Sequence, residues 1–326
     1  MQYRELGASG LKVSAVGLGT WAIGGWLWGG SDRQAAVAAV QAAVEAGITL
    51  IDTAPGYGLG LAEEIVGEAL AGLRDKVVLA TKCGLVWHVR RGQHFFDQLG
   101  RPVHRYLGPQ SVRHELEESL RRLATDRIDL YQTHWQDATT PIAETMGELE
   151  KLRREGKIRA IGVSNVSPAD LEAYLEAGGV SSIQEKYSML DRGAEKQLLP
   201  LAREKGIAAL AYSPMALGLL TGKVKPGRRF PGDDLRHNNP RFTEENIRKV
   251  NALLEEVAPV AAAHRATLAQ TVVAWTLAQP GVTCALCGAR NPEQARENAG
   301  AGGLQLTGEE LATLNAAVRR HGPGIV

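Results

Sequence analysis

Eight short apolar runs recur along the chain, each six to eight residues long and separated by more polar sequence. Continuous apolar runs of this length are typical of strands that are buried on both faces, as in parallel sheets. The runs are Val13–Thr20, Gly47–Ala54, Val77–Lys82, Ile128–Trp135, Ile158–Asn165, Ser181–Tyr187, Ile207–Ser213 and Val282–Gly288. The pattern therefore predicts eight buried strands.

Segments with apolar residues at helical spacing lie between these runs. They are Arg33–Ala46, Leu61–Leu73, Ser111–Leu123, Ile142–Glu155, Pro168–Ala177 and Ala194–Lys205. Residues typical of helix starts are Asp32, Ser167 with Asp170, and Ser111 with Glu115. Gly156 and Gly206 follow charged residues where helices should stop. Repeated strand–helix alternation without a change in composition predicts one α/β domain over residues 1–326, folded as a closed (β/α)8 barrel.

Three segments do not fit the alternation. Tyr3–Val13 is predicted to form a hairpin in front of the first barrel strand. Leu85–Gly108, rich in Arg, His and aromatic residues, and Thr221–Pro240, rich in Gly, Pro and Arg, are predicted to be long loops. Both loops would lie at the rim where the strands end, which is where such barrels carry their functional loops.

The overall composition is that of an ordinary globular protein of 326 residues, 44% hydrophobic and 22% charged, with a formal net charge of +1. The balanced charge predicts no nucleic-acid partner and no binding to an anionic membrane. No apolar stretch is long enough to span a bilayer, and Met1–Glu5 carries no signal-peptide pattern. A cytoplasmic location is therefore expected.

The three cysteines indicate neither a disulfide framework nor a redox pair. Cys284 and Cys287 lie three apart in a predicted strand, so they should point to opposite faces and pack in the core. The loop histidines His88, His94 and His104 lack metal-ligand spacing with supporting acids, so no metal is expected.

Four polar side chains lie at or just beyond the ends of three predicted strands: Asp52, Tyr57, Lys82 and His134. Strand ends meet at one rim of a parallel barrel, so these side chains should converge. A phenol with a pKa of about 10 is a poor acid at neutral pH, and a neighbouring Lys82 ammonium would lower that pKa. Asp52 would keep Lys82 charged, and His134 would hydrogen-bond a substrate carbonyl. Such a set suits polarisation of a carbonyl that receives hydride.

The order of these motifs resembles that of the aldo-keto reductase superfamily, and the resemblance covers essentially the whole chain. The matching motifs are Gly17–Thr20, Asp52 with Tyr57 and Gly58, Lys82, Gln132–Trp135, Ile161–Asn165, Gln184, Tyr212–Pro214 and Gly288–Arg290. The stretch Gly17–Gly30 is similar to a bacterial aldehyde-reductase subgroup. The resemblance implies an NADPH-dependent (β/α)8 barrel that reduces small carbonyl compounds to alcohols.

Carried over to this chain, the family implies Tyr57 as proton donor, with Lys82 and Asp52 tuning it and His134 orienting the carbonyl. Ser164, Asn165 and Gln184 would hydrogen-bond the nicotinamide carboxamide, and Tyr212 would stack on the nicotinamide ring. The complete implied cofactor set is Gly19, Thr20, Trp21, Asp52, Ser164, Asn165, Gln184, Tyr212, Ser213, Pro214, Met215, Gly218, Leu219, Lys223, Gly288, Arg290, Gln294 and Asn298.

The adenosine end of the cofactor has a separate physical rationale. Asn291 and Pro292 are typical of a helix start, and a helix N-terminus beside Arg290 is suited to an anion. The family resemblance places the 2′-phosphate of NADP there. Many relatives carry Lys and Arg where this chain has Gly288 and Gln294, so Arg290 would be the charge that favours NADPH over NADH.

Three other interpretations compete with the reductase. Gly17–Ala22 matches a dinucleotide-binding G-x-G-x-x-A, but Trp21–Trp26 cannot open the helix that this motif requires. A Schiff-base aldolase could use Lys82 as nucleophile, although Asp52 would oppose it by keeping the amine protonated. The superfamily fold also serves as a cofactor-binding regulatory subunit of potassium channels, which the four polar residues alone do not exclude.

Overall fold

The apolar runs form a closed barrel of eight parallel strands that neighbour one another in the order of the sequence. They are β1 (Val16–Gly19), β2 (Leu50–Asp52), β3 (Val78–Cys83), β4 (Ile128–Thr133), β5 (Ile158–Ser164), β6 (Ser182–Lys186), β7 (Ala208–Tyr212) and β8 (Val282–Gly288). This computed structural model describes residues 1–322, 324 and 325, so Pro323 and Val326 of the predicted domain lie outside the described residues. The predicted (β/α)8 fold is confirmed.

The inward-facing positions of the strands change from apolar to polar along the barrel axis. Side chains two apart in a strand point to the same side, so Lys82 faces the same interior as Ala80, and Gln132 the same interior as Leu130. An apolar cluster fills the lower barrel, the part of the interior away from the C-terminal ends of the strands. Its strand residues are Leu50, Val78, Ala80, Leu130, Ala160, Ala208, Leu210, Cys284 and Leu286. A polar layer follows one step further, at the C-terminal ends of the strands.

The predicted hairpin is confirmed and closes the opposite end of the barrel. Tyr3–Glu5 pairs antiparallel with Lys12–Ser14. Leu6, Leu11 and Val13 are buried in the same interior cluster as the lower strand residues. Because Lys12–Ser14 belongs to the hairpin, the first barrel strand begins at Val16 and not at Val13.

Helices surround the barrel and bury its outer face. They are α1 (Arg33–Glu45), α2 (Leu61–Ala69), α3 (Pro109–Arg122), α4 (Ile142–Arg154), α5 (Pro168–Ala177), α6 (Leu198–Glu204), α7 (Glu244–Ala263), α8 (Leu268–Leu277), α9 (Pro292–Gly300) and α10 (Gly308–His321). Within the described residues, no helix has both the length and the apolar content needed to cross a membrane.

Most of the predicted helix signals are confirmed. Asp32 caps α1 by accepting from the Ala35 amide at 3.0 Å, and Ser167 forms a capping box with Asp170 at the start of α5. Ser111 does not start a helix, because α3 begins two residues earlier at Pro109, whose fixed φ suits a first helical position.

The cysteines pack as expected from their spacing. Cys284 belongs to the cluster inside the barrel, whereas Cys287 belongs to the cluster between strands and helices. Both thiols are free and buried.

The prediction that Leu85–Gly108 is structureless is wrong. Leu85–Val86, Gln93–Gln98 and Arg101–Arg105 form a three-stranded antiparallel sheet above the rim, between β3 and α3. The second predicted loop, Thr221–Pro240, stays irregular apart from one bridge that pairs Asp234 with Trp28. Both segments extend from the rim formed by the strand ends, as predicted.

Candidate active site

Three neighbouring strands bring four polar side chains together at the C-terminal end of the barrel. Asp52 ends β2, Lys82 lies near the end of β3, and His134 follows β4, while Tyr57 lies in the turn after β2. The Lys82 ammonium donates to Asp52 Oδ1 at 2.5 Å and lies 3.2 Å from Tyr57 Oη. The imidazole of His134 meets the Tyr57 ring edge-on, with 5.6 Å between the ring centres. The predicted set therefore converges on one site.

The charges within this group fix which side chains carry protons. Burial alone would lower the pKa of Lys82, but the Asp52 charge and the Tyr57 phenol outweigh it, so the pKa of Lys82 is raised. Burial also raises the pKa of Tyr57, although Lys82 opposes the rise. Lys82 lowers this pKa as expected, but desolvation of the phenolate is the larger effect, so the pKa of Tyr57 lies above its ordinary value. Tyr57 therefore keeps its proton at neutral pH.

His134 is held in its neutral form. Burial, with a contribution from the Lys82 charge, places the pKa of this imidazole well below its ordinary value. A neutral imidazole has one N–H donor, and the chain positions it beside the Tyr57 phenol. The site thus holds two neutral side chains that can donate hydrogen bonds, a phenol and an imidazole, next to each other.

Two glutamine side chains donate hydrogen bonds to the second oxygen of Asp52. The sequence did not predict these contacts. Gln132 Nε2 donates to Asp52 Oδ2 at 3.0 Å, and Gln184 Nε2 donates to the same oxygen at 2.8 Å. Both glutamines are almost completely buried. The sequence signal for Gln132 was its position two residues before His134 on the same strand run. The structure shows in addition that Gln132 pairs directly with Lys82.

A second polar group lies at the ends of β5 to β7. Asn165 Nδ2 donates to the carbonyl of His134 at 2.9 Å, and its Oδ1 accepts from the Tyr212 hydroxyl at 2.8 Å. Ser164 Oγ donates to the main-chain carbonyl of Gln184 at 2.7 Å. Asn165 itself has a left-handed backbone with φ of 54°. These hydrogen bonds fix the Tyr212 ring beside the four polar side chains described above.

The segment after β7 carries unusual backbone geometry. Ser213 and Leu217 have positive φ values of 54° and 58°, and Gly218 has 90°. The same short segment contains Pro214, Met215 and Leu219. Non-glycine residues in this region of φ are strained and cluster at ligand sites. Further on, the exposed Lys223 pairs with Glu297 of α9 at 2.8 Å.

The start of α9 forms as the sequence predicted. Asn291 Oδ1 accepts from the amide of Gln294 at 2.9 Å, and Pro292 occupies the first turn. Gln294 Oε1 accepts in turn from the main-chain amide of Arg290 at 2.9 Å. Asn298 Nδ2 donates to the carbonyl of Gly288 at 3.0 Å. The side chains of Gln294 and Asn298 therefore both support the turn that links β8 to α9.

Arg290 reaches from this turn to the loop that follows β1. Its guanidinium donates to the carbonyls of Trp28 and Gly30 at 3.0 and 2.8 Å. Neutral carbonyls accept these bonds, so the positive charge is not neutralised by them. Burial opposes ionisation of Asp234, but Arg236, with a smaller contribution from the Arg290 charge, lowers the pKa of this carboxyl group.

The end of β1 contacts the same centre. Gly19 pairs with Asp52 across the β1–β2 register, and both the amide and the hydroxyl of Thr20 donate to the Asp52 carbonyl at 3.0 Å. Trp21 follows, with its ring centre 6.4 Å from that of Tyr57. These three residues therefore frame the β1 side of the site.

Comparison with known proteins decides the family. The model of the aldo/keto reductase family matches residues 15–319. This chain belongs to the aldo/keto reductase family. It is 45% identical to the NADH-specific methylglyoxal reductase of Escherichia coli K12, over 96% of this chain and 97% of that protein.

Two solved structures are similar to this aldo/keto reductase. The glycerol dehydrogenase of Gluconobacter oxydans has a TM-score of 0.88 and 43% identity, covering 97% of this chain and 94% of that one. An aldo/keto reductase of Klebsiella pneumoniae in complex with NADP and acetate has a TM-score of 0.74 and 34% identity, with the same coverage of 97% and 94%.

In this aldo/keto reductase, the rim sheet Leu85–Arg105 contributes two aromatic residues that pack on tryptophans of the rim. Phe95 of the antiparallel sheet packs on Trp135, the residue after His134, with ring centres 5.3 Å apart. Phe96 stacks on Trp26 at 4.9 Å. The sequence reasoning did not single out Phe95 or Phe96, because it treated their segment as a loop.

A cavity of about 300 Å³ lies on the outer side of this rim, lined among others by His88, His114, Glu115 and Arg122. His88 and His114 lie with ring centres 4.3 Å apart. Across the described part of the chain, no three His, Cys, Asp or Glu side chains are arranged to hold a metal ion.

Proposed function

We propose that this protein reduces the carbonyl group of small aldehydes or ketones, using hydride from a nicotinamide cofactor, with Tyr57 as the proton donor. The observation that carries the proposal is the Lys82 ammonium, which lies 3.2 Å from Tyr57 Oη while Asp52 fixes its charge. A buried phenol beside a fixed cation can release a proton to a substrate oxygen and stabilise the phenolate that remains.

The proton step follows from the states of Tyr57 and His134. A carbonyl oxygen between them accepts a hydrogen bond from the neutral imidazole and a proton from the phenol. As negative charge grows on that oxygen, the proton of Tyr57 moves to it, and Lys82 stabilises the phenolate. Asp52 holds Lys82 in place and so keeps it charged.

The residues present fit a nicotinamide cofactor. Ser164, Asn165 and Gln184 offer polar groups that suit an amide, and the Tyr212 ring is fixed beside them by its bond to Asn165. The strained backbone at Ser213–Gly218 is of the kind found where main chain approaches a ligand closely. The bound cofactor would supply the hydride.

We further propose that Arg290 favours NADPH by meeting a 2′-phosphate at the start of α9. Its charge is bound only by neutral carbonyls among its hydrogen-bond partners in the described residues. Gly288 and Gln294 add no charge at this position. The 45%-identical relative named as NADH-specific makes the ratio of the two cofactors the informative measurement.

The proposed substrates are small and polar. Two relatives are named for methylglyoxal and for glycerol, both compounds of three carbons. At the rim, Phe95 packs on Trp135, the residue that follows His134. We therefore expect three-carbon dicarbonyls and hydroxyaldehydes to be better substrates than bulky aldehydes.

The geometry does not favour the aldolase alternative. Lys82 is completely buried, paired with Asp52 at 2.5 Å, and has a raised pKa, so its nitrogen lacks the free lone pair that attacks a carbonyl. Borohydride in the presence of substrate would trap an adduct on Lys82 if the aldolase were correct.

The test follows NADPH and NADH absorbance with a panel of three-carbon and larger aldehydes. Tyr57→Phe should abolish at least about 99% of the turnover, since general acid catalysis contributes roughly 100-fold or more. Tyr3→Phe is the matched control, because Tyr3 is exposed on the hairpin at the other end of the barrel. If no carbonyl compound is turned over, the cofactor-binding regulatory role is the interpretation that remains. Full activity of Tyr57→Phe would disprove the proposal that Tyr57 is the proton donor.

A further inference from the structure

The carboxylate of Asp52 has a different set of partners on each oxygen. Oδ1 accepts from Lys82 at 2.5 Å, whereas Oδ2 accepts from Gln132 at 3.0 Å and Gln184 at 2.8 Å. We propose that Gln132 is a positioning residue: with Gln184, it holds the Asp52 carboxylate at the angle that places Lys82 against Tyr57. This inference rests on the proposed carbonyl reduction.

The hydrogen-bond capacity of the two amides fixes their orientation. A carboxylate is acceptor-only, so both glutamines must turn their nitrogen toward Oδ2. Gln184 Nε2 has two hydrogens, of which one serves Asp52 and the other serves Gln132 Oε1 at 3.2 Å. Gln132 therefore acts on Asp52 twice, once by its own bond and once by orienting the second amide.

Glycine on the strand between them makes this contact feasible. Gly162 of β5 pairs with Gln132 on one side and with Ser182 of β6 on the other. A Cβ atom at position 162 would lie 2.9 Å from Gln132 Cγ and 2.6 Å from Ser182 Oγ. The absent side chain at this position leaves the space in which the Gln132 side chain lies.

The network also restricts what Gln184 can offer a ligand. Its nitrogen is committed to Asp52 and Gln132, so only its oxygen remains to accept a hydrogen bond. A bound carboxamide that donates its N–H to this oxygen would polarise the Gln184 amide and strengthen its bond to Asp52. Through Gln132 and Gln184, the Asp52 carboxylate would connect the residues that contact the nicotinamide with the Lys82–Tyr57 pair that supplies the proton.

The test compares Gln132→Met, which keeps the length of the side chain and removes the amide, with Gln132→Glu. Misplacement of the Lys82–Tyr57 pair should lower kcat about 100-fold in Gln132→Met, with little change in the KM for cofactor. The carboxyl group introduced by Gln132→Glu donates to Asp52 while it is protonated, as the amide did, so this variant should retain much more of kcat at pH 6. That advantage should shrink as the pH rises and the added acid ionises.

The matched control is Gln98→Met, since Gln98 is a buried glutamine on the rim sheet whose amide atoms have no hydrogen-bond partner among the described residues. Tyrosinate absorbance, taken as the difference from the Tyr57→Phe version of each protein, reports the Tyr57 pKa without turnover. The Tyr57 pKa should rise in Gln132→Met, because Lys82 is displaced from the phenol, and should stay constant in Gln98→Met.

The outcomes separate the two proposals. Normal kcat and a normal Tyr57 titration in Gln132→Met would overturn the positioning role, even if the wild-type protein reduces carbonyls well. Equal losses in Gln132→Met and Gln132→Glu at all pH values would indicate a merely structural glutamine. Lack of turnover in the wild type would refute the reductase, and the titration would still decide the position of Lys82.

Discussion

The ammonium of Lys82 lies 3.2 Å from the hydroxyl oxygen of Tyr57 and 5.1 Å from the centre of its ring. The cation therefore lies at the hydroxyl end of the phenol and not over its ring. Its charge is fixed by Asp52, and its pKa is raised by that pairing against the effect of burial. The states of Tyr57 and His134 in this field set the expected dependence of the rate on pH.

Carbonyl reduction should be nearly independent of pH through the neutral range. The pKa of Tyr57 is raised, so the phenol loses its proton only at alkaline pH, and reduction should fall there. The pKa of His134 is lowered, so the imidazole stays neutral as the pH falls and gives no acidic limb near pH 6.5. Measurement of kcat/KM from about pH 5 to about pH 11 covers both the flat range and the alkaline fall. A decline between pH 6 and 8 would contradict the assigned states.

Replacement of Arg290 should separate the two nicotinamide cofactors. Arg290→Gln keeps a donor for the carbonyl of Trp28 but removes the charge. Loss of one charged contact to phosphate should raise the KM for NADPH about tenfold or more and leave the KM for NADH nearly unchanged. The wild-type KM for NADPH should also rise with ionic strength. Equal effects on both cofactors would mean that Arg290 supports the loop and does not select the phosphate.

Phe95 should affect the substrate and not the cofactor. Its ring lies 5.3 Å from that of Trp135 and 4.9 Å from the guanidinium carbon of Arg105. Phe95→Ala should raise the KM for small carbonyls several-fold and reduce discrimination against bulky aldehydes, because loss of the ring removes the packing partner of Trp135 at the rim. Steady-state kinetics with paired small and bulky substrates measure this. Leu99→Ala, at an exposed position in the turn of the same sheet, is the control.

Glu115 should limit stability at neutral and higher pH. Burial raises its pKa to about 8, above its value in the unfolded chain, although the amide of Gly84 opposes the rise. The folded protein then holds a proton that the unfolded chain has lost, so stability falls as the pH rises from about 4.5 to about 8.

Glu115→Gln removes this dependence and keeps an acceptor for Gly84. Its Tm should match that of the wild type near pH 5 and exceed it by a few degrees near pH 8, since each kcal/mol moves the Tm of a large domain by about 2–4 °C. Thermal unfolding across this pH range measures the difference, and the exposed Glu172→Gln on α5 should show no such trend. A constant difference at all pH values would contradict the raised pKa.

The barrel could be predicted because its strands are read from local composition. Val78–Cys83 and Ile128–Thr133 are buried at every position, so continuous apolar runs indicated them directly. The convergence of Asp52, Lys82 and His134 followed from the same alternation, since parallel strand ends meet at one rim.

The rim sheet could not be predicted because its turn lacks the usual signal. Gln98 and Arg101 pair across Leu99-Gly100, whose φ values of 51° and 75° match the hairpin turns that favour Asn-Gly. A leucine in this conformation hides the hairpin from sequence patterns. The roles of Phe95 and Phe96 were hidden with it.

The net direction of the Tyr57 pKa also lay beyond the sequence. Its sign depends on how deeply the phenol is buried compared with how closely Lys82 approaches, and both are properties of the folded barrel. The partnership of Gln132 with Gln184 depends in the same way on two strands that are separated by β5.

The hairpin that seals the lower barrel with Leu6, Leu11 and Val13 makes the barrel a cup with one mouth. A cofactor and a carbonyl compound that both reach Tyr57 must use that mouth, and the one seated deeper cannot leave past the other. The order in which the two molecules arrive and depart would then be imposed by the shape of the barrel.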